Sequence, residues 1–154
     1  MNELCALPVR EVERQAPIEP GVIYIAKGDA DLVVSRRGTG FSATPVPCSN
    51  DHLWHPSVER LVASAIDVMP AKNLIGVLLT GMGDDGANAM TTLRERGGLT
   101  IAQDEATSVV FGMPNELIRR GGASVVLPSD KITAQLVSWL RAVSADKEKR
   151  SHAG

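Results

Sequence analysis

The chain has 154 residues, 44% of them hydrophobic and 22% charged, with a formal charge of -2. That size and balance suit one globular domain with a real core, and the near-neutral charge gives no reason to expect nucleic acid or an anionic membrane as partner. No apolar run approaches the roughly 20 residues of a membrane span, and Met1–Cys5 has neither the basic nor the apolar region of a secretory signal.

Leu7–Glu13 alternates like a strand, limited by Pro8 and Pro17, and Pro20-Gly21 marks a turn. Val22–Ala26 is a short β-rich run closed by Lys27-Gly28-Asp29. Asp31–Arg36 and Phe41–Val46, separated by Arg37-Gly38-Thr39-Gly40, predict a β-hairpin with a glycine loop. His55-Pro56-Ser57 starts a helix in which Val58, Leu61, Val62, Ala65, Ile66 and Met69 repeat at helical spacing. From Leu74 the order is strand (Leu74–Leu79), helix (Ala87–Arg94), strand (Leu99–Ala102), helix (Asn115–Arg120), strand (Ser124–Leu127), and a helix from Pro128-Ser129-Asp130 through Leu140. Short connections between such elements predict an α/β fold, a parallel sheet with right-handed crossovers and helices on its faces. The charged tail beyond residue 145 is expected to fray. Cys5 and Cys48 have no metal-type spacing and imply no disulfide framework, so a cytoplasmic setting is expected.

The stretch Leu74–Met90 carries the chemistry. A buried strand runs into Gly81-Met82-Gly83-Asp84-Asp85-Gly86 and then into a helix, and ligands of open α/β sheets gather at such carboxyl ends. Gly81-x-Gly83-x-x-Gly86 matches a dinucleotide fingerprint, and Asp104 falls near the place of a ribose-binding acid. Against that, two acids lie inside the loop that would receive a pyrophosphate. No Lys-Ser or Lys-Thr follows, which excludes a P-loop. Alternatively, Asp84 or Asp85 orients a catalytic histidine, or it caps the helix it precedes. A metal is not expected: the two acids lack supporting ligands, and His52 and His55 read as solvated loop histidines beside Pro56.

The motif Thr80-Gly81-Met82-Gly83-Asp84-Asp85-Gly86-Ala87 resembles the signature of the CheB-type protein-glutamate methylesterases of bacterial chemotaxis. Ile101–Pro114, Tyr24-Ile25-Ala26-x-Gly28-Asp29 and His55-Pro56-Ser57-Val58 resemble further segments of that family, in order, over roughly Pro8–Leu140. The resemblance implies a three-layer α/β domain, with a mostly parallel sheet, helices on both faces and a β-hairpin excursion. It implies hydrolysis of glutamate methyl esters on chemoreceptor cytoplasmic domains, with glutamine deamidation in some members. The family works without a cofactor, through a Ser-His-Asp triad. Its aspartate falls on Asp85, and Met82 falls beside its oxyanion site. Asp84 sits where the family often has a neutral polar residue, so it is read as a cap or surface acid.

One departure bears on activity. The family's serine lies in a glycine-rich strand-to-helix turn near the domain start, and its histidine ends the next strand. No G-x-S-x-G elbow occurs here. Ser57, Ser108 and Ser124 fall elsewhere in the family pattern, and so do His52 and His55. Residues 1–145 are therefore expected to be the C-terminal portion of a methylesterase domain, without its N-terminal strands or the usual receiver domain, inactive alone and with an open sheet edge. Two other readings remain: a non-catalytic remnant that binds receptors or another chemotaxis partner, and a dinucleotide-binding domain stabilised by a nicotinamide cofactor.

Overall fold

The computed structural model describes residues 5–151, with side chains through Ala142. The first residues read against a secretory signal and the last three of the charged tail lie outside the described residues. The elements in order are β1 (Val9–Val12), β2 (Ala16–Pro17), β3 (Ile23–Ala26), β4 (Asp31–Arg37), β5 (Gly40–Val46), α1 (Val58–Val68), a short 3-10 turn (Ala71–Asn73), β6 (Ile75–Leu78), α2 (Ala87–Glu95), β7 (Leu99–Gln103), α3 (Met113–Arg119), β8 (Val125–Leu127) and α4 (Ser129–Ser151).

The second half is the α/β unit expected from the β-α-β order. Strands β6, β7 and β8 lie side by side in that order, all parallel, with Val77 opposite Ile101 and Ile101 opposite Val125. Successive residues of a strand face opposite sides of a sheet. On β7 the neighbours Ile101 and Ala102 are both 0% exposed, so both faces of the sheet are covered. Ala102 belongs to a core with Leu78, Met90, Leu93, Leu117 and Ile66, drawn from α1, α2 and α3. Helix α4 also packs on β7 and buries Ile132. Among the described residues β6 is an edge strand, and the side chains beyond its carboxyl end, Leu79, Met82, Val109 and Val110, are exposed.

The first half is built on the hairpin. Its strands pair as far as Arg37 and Gly40, so the turn is two residues, Gly38-Thr39, rather than the four-residue loop expected. Gly38 supplies a left-handed φ of 57°, which suits a two-residue turn to the strand twist. Two pairings were not legible from pattern. Strand β2 adds to β5 in antiparallel fashion, and β1 pairs with β3 in parallel. Pro17 suggested a break, but proline is tolerated on an edge strand. A second core forms here from Val12, Leu32 and Ala43, with Leu61 of α1 packed against it.

Helix α1 joins the halves. Asp31, the first residue of β4, is 0% exposed. Its Oδ1 accepts the Ser57 N–H at 2.8 Å and lies 2.9 Å from His55 Nδ1, and its Oδ2 accepts from Arg60 Nη1 at 2.6 Å. Burial pushes this carboxyl up. The hydrogen bonds from His55, Arg60 and the Ser57 amide, with electrostatic attraction to His55, outweigh that and hold it well below the usual carboxylate range.

The corner after β6 is clamped by the segment between β7 and α3. Buried Gln103 accepts the Thr80 N–H at 2.8 Å and donates to the Thr107 carbonyl at 2.7 Å. Val110 accepts from Gly81 N–H at 3.0 Å, and the N–H groups of Gly112 and Met113 donate to the Gly81 carbonyl at 3.1 and 2.9 Å.

Asp31→Asn leaves Arg60 and His55 without their buried counter-charge, and should cost about 3 kcal/mol in a urea titration. Because the folded carboxyl lies below its ordinary value of 3.8, its contribution is complete above that pH and is lost as pH falls through the folded value. The native chain should therefore lose stability below about pH 4 more steeply than Asp31→Asn; equal acid slopes would contradict this account. At Gly112 a Cβ would lie 2.7 Å from the Gly81 carbonyl and 3.0 Å from the Gly83 nitrogen, main-chain atoms with nowhere to go. Gly112→Ala should cost about 2 kcal/mol. Gly76→Ala should cost less, since its Cβ would meet the movable end of Met90; the same titration ranks the two.

Candidate active site

The corner from Leu79 to Gly86 follows the buried Leu78 of β6 and opens α2. Gly86 is the N-cap of α2, with φ 85° and no side-chain cap. The Ala87 N–H is instead taken by the main-chain carbonyl of Asp84 at 3.0 Å. The expectation that Asp84 or Asp85 caps the helix it precedes is therefore corrected: neither carboxylate does. The Asp84 side chain turns outward, 63% exposed and 3.5 Å from Arg120 Nη2, which makes it a surface acid.

Asp85 turns the other way, onto the N-terminus of α1. Its Oδ1 accepts from Ser57 Oγ at 3.0 Å and from the Glu59 N–H at 3.0 Å, and its Oδ2 accepts the Val58 N–H at 2.7 Å. The first N–H groups of a helix have no intrahelical partner, so Asp85 acts as a cap for a helix distant in sequence. Gly86 permits the approach: a Cβ there would lie 2.5 Å from Val58 Cγ1. A carboxylate offers about four acceptor positions. Three are filled, and the remaining one is on Oδ2.

Asp85 lines an open cleft of about 350 Å³ with His52, Trp54, Glu59, Asp84 and Asn88. A half-buried carboxylate with both oxygens fixed and one acceptor position left is suited to hold an N–H donor in a set orientation. Met82 stands exposed at the same corner. The histidines need a correction. His55 is not a solvated loop residue but is bound to buried Asp31, with its side chain 23% exposed. His52 lies in the wall of the cleft. Among the described residues neither imidazole is hydrogen-bonded to Asp85 or to a serine hydroxyl.

The glycines serve close packing of protein on protein. The space a side chain would take at Gly81 is filled by Met113, and at Gly112 by the main chain of the corner itself. Asp104, the candidate ribose acid, accepts from the Thr107 N–H at 3.0 Å and the Thr107 hydroxyl at 2.6 Å, closing its own loop. These contacts argue against a dinucleotide site. Among the described residues no group of three His, Cys, Asp or Glu side chains is placed to hold a metal ion, Cys5 and Cys48 are free and exposed, and no helix is long and apolar enough to cross a membrane. Two residues of the site were not picked out from the sequence. Ser57 carried a signal, a serine just before an apolar helical repeat. Asp31, a strand-initial acid, carried none.

The sequence profile described as CheB methylesterase matches residues 1–136. A protein-glutamate methylesterase/protein-glutamine glutaminase of Rhodospirillum rubrum is 59% identical over 140 residues, covering 91% of this chain and 38% of the relative. One of Rhodopseudomonas palustris is 54% identical over 146 residues, covering 95% and 40%. The chain thus spans about two fifths of the length of these relatives. The crystal structure of the Thermotoga maritima CheB methylesterase catalytic domain superposes with a TM-score of 0.83 at 33% identity, covering 89% of this chain and 72% of that one. Profile, relatives and fold agree, and the chain belongs to the CheB methylesterase family.

Proposed function

We propose that this chain is the aspartate-bearing part of a protein-glutamate methylesterase site. Asp85 accepts the Nδ1–H of a histidine through its remaining Oδ2 position, fixes the tautomer and stabilises the imidazolium. The histidine takes the proton of a serine hydroxyl, which attacks the ester carbonyl. Methanol leaves, and water releases the glutamate carboxylate. Both partners come from polypeptide other than residues 5–151. Met82 borders the place where the oxyanion forms. The substrates are glutamate methyl esters, and glutamine amides in the same chemistry, on the cytoplasmic domains of chemoreceptors, and no cofactor takes part. The observation that carries the reading is Asp85, held by three donors at the edge of a cleft with one acceptor position left.

A second reading, a non-catalytic module that binds a receptor or another chemotaxis protein, draws on the exposed Leu79, Met82, Val109 and Val110 around the corner. Capture of a receptor cytoplasmic domain by a chain that confers no activity in the chimera described next would favour it.

Purified chain should not hydrolyse methylated receptor, and activity lost on Asp85→Ala would overturn that. A chimera in which this chain replaces the matching segment of the Rhodospirillum rubrum relative should hydrolyse the ester. Asp85→Asn in that chimera should lower kcat by about 10⁴-fold; loss of less than tenfold would rule out the role given to Asp85.

A further inference from the structure

We infer that Ser57 is a positioning residue for Asp85, with a duty beyond capping α1; this rests on the catalytic reading of Asp85. Ser57 is 2% exposed, and each of its polar main-chain and side-chain donors is committed. Its main-chain N–H goes to Asp31 Oδ1 at 2.8 Å, and its hydroxyl contacts both Asp85 Oδ1 at 3.0 Å and the Arg60 N–H at 3.3 Å. Only one assignment of the hydroxyl proton satisfies all three. An amide N–H can only donate, so Oγ accepts from Arg60. A carboxylate can only accept, so the single hydroxyl proton points at Asp85. A helix cap needs the acceptor role alone. The donor role is extra, and it fixes Oδ1, leaving Oδ2 as the oxygen with a position open.

Asp31 completes the arrangement from the opposite side. It is held by Arg60 and His55 and grips the Ser57 main chain. Ser57 is therefore fixed between two carboxylates, Asp31 at the start of β4 acting on its amide and Asp85 in the corner after β6 acting on its hydroxyl. The orientation of Asp85 is set by this pair of contacts together with the Val58 and Glu59 amides.

The two duties separate by mutation. Glycine is tolerated at an N-cap far better than alanine, but it has no proton to give Asp85. In the chimera, Ser57→Gly should lower kcat about tenfold through loss of orientation, with KM within about twofold and the thermal midpoint within about 2 °C of the parent. Ser57→Ala, with rates normalised to the folded fraction measured by circular dichroism, should lose kcat to the same extent. Parental kcat in both variants, in a chimera that Asp85→Asn silences, would reduce Ser57 to a cap and overturn this inference alone. A loss that normalisation abolishes would do the same. Activity that survives Asp85→Asn would overturn the catalytic reading, and this inference with it.

Discussion

The fold depends on one constraint: the unpaired N–H groups at the start of α1 must find acceptors. Two carboxylates supply them, from opposite halves of the molecule. Asp31 opens the hairpin strand β4 and takes the Ser57 N–H, while Asp85 ends the β6 corner and takes those of Val58 and Glu59. A helix N-terminus carries partial positive charge that favours such neighbours. The helix start thereby ties an antiparallel sheet to a parallel one, and the two apolar cores meet along its length, Leu61 toward the first and Ile66 within the second.

The same constraint shapes the corner. Asp85 reaches α1 only because Gly86 lets the main chain come against Val58. The corner holds its form because Gln103, Val110, Gly112 and Met113 bind its backbone from the far side. Structure and chemistry share contacts here. The hydrogen bonds that hold the two halves together are also those that orient the candidate catalytic carboxylate. A side chain at Gly86 would therefore act on stability and geometry at once, whereas the Asp84 side chain, exposed and only loosely approached by Arg120, is free of both duties.

Much of the α/β unit was legible from pattern. Its apolar runs and helical repeats are local, and each strand and helix start lies within about two residues of where periodicity places it, but α4 continues to Ser151, past the end of its apolar repeat at Leu140 and through the charged stretch expected to fray. The hairpin was legible for the same reason, its turn glycine marking the reversal. The pairing of β2 with β5 and of β1 with β3 was not, because these strands are short, weakly patterned and matched across the chain rather than along it. In the corner, the glycine spacing matched a dinucleotide fingerprint, with Asp84 and Asp85 arguing against it. The neighbours that fill the space beside Gly81, Gly86 and Gly112 show a close-packed turn instead. His55, a loop residue, looked solvated because its partner, Asp31, lies 24 positions away.

By itself the sequence determined the order of strands and helices from residue 74 onward, the hairpin, and a corner motif whose full spelling, rather than its glycines, pointed to a family. These are properties of residues near one another in the chain, set by periodicity, turn chemistry and local identity. Tertiary structure decided which of two adjacent aspartates turns inward, which helix that aspartate caps, and that Ser57 stands between Asp31 and Asp85. The reason is that a carboxylate's partners are chosen by where main-chain donors converge in space, and the donors for Asp85 come from a helix start more than twenty residues earlier.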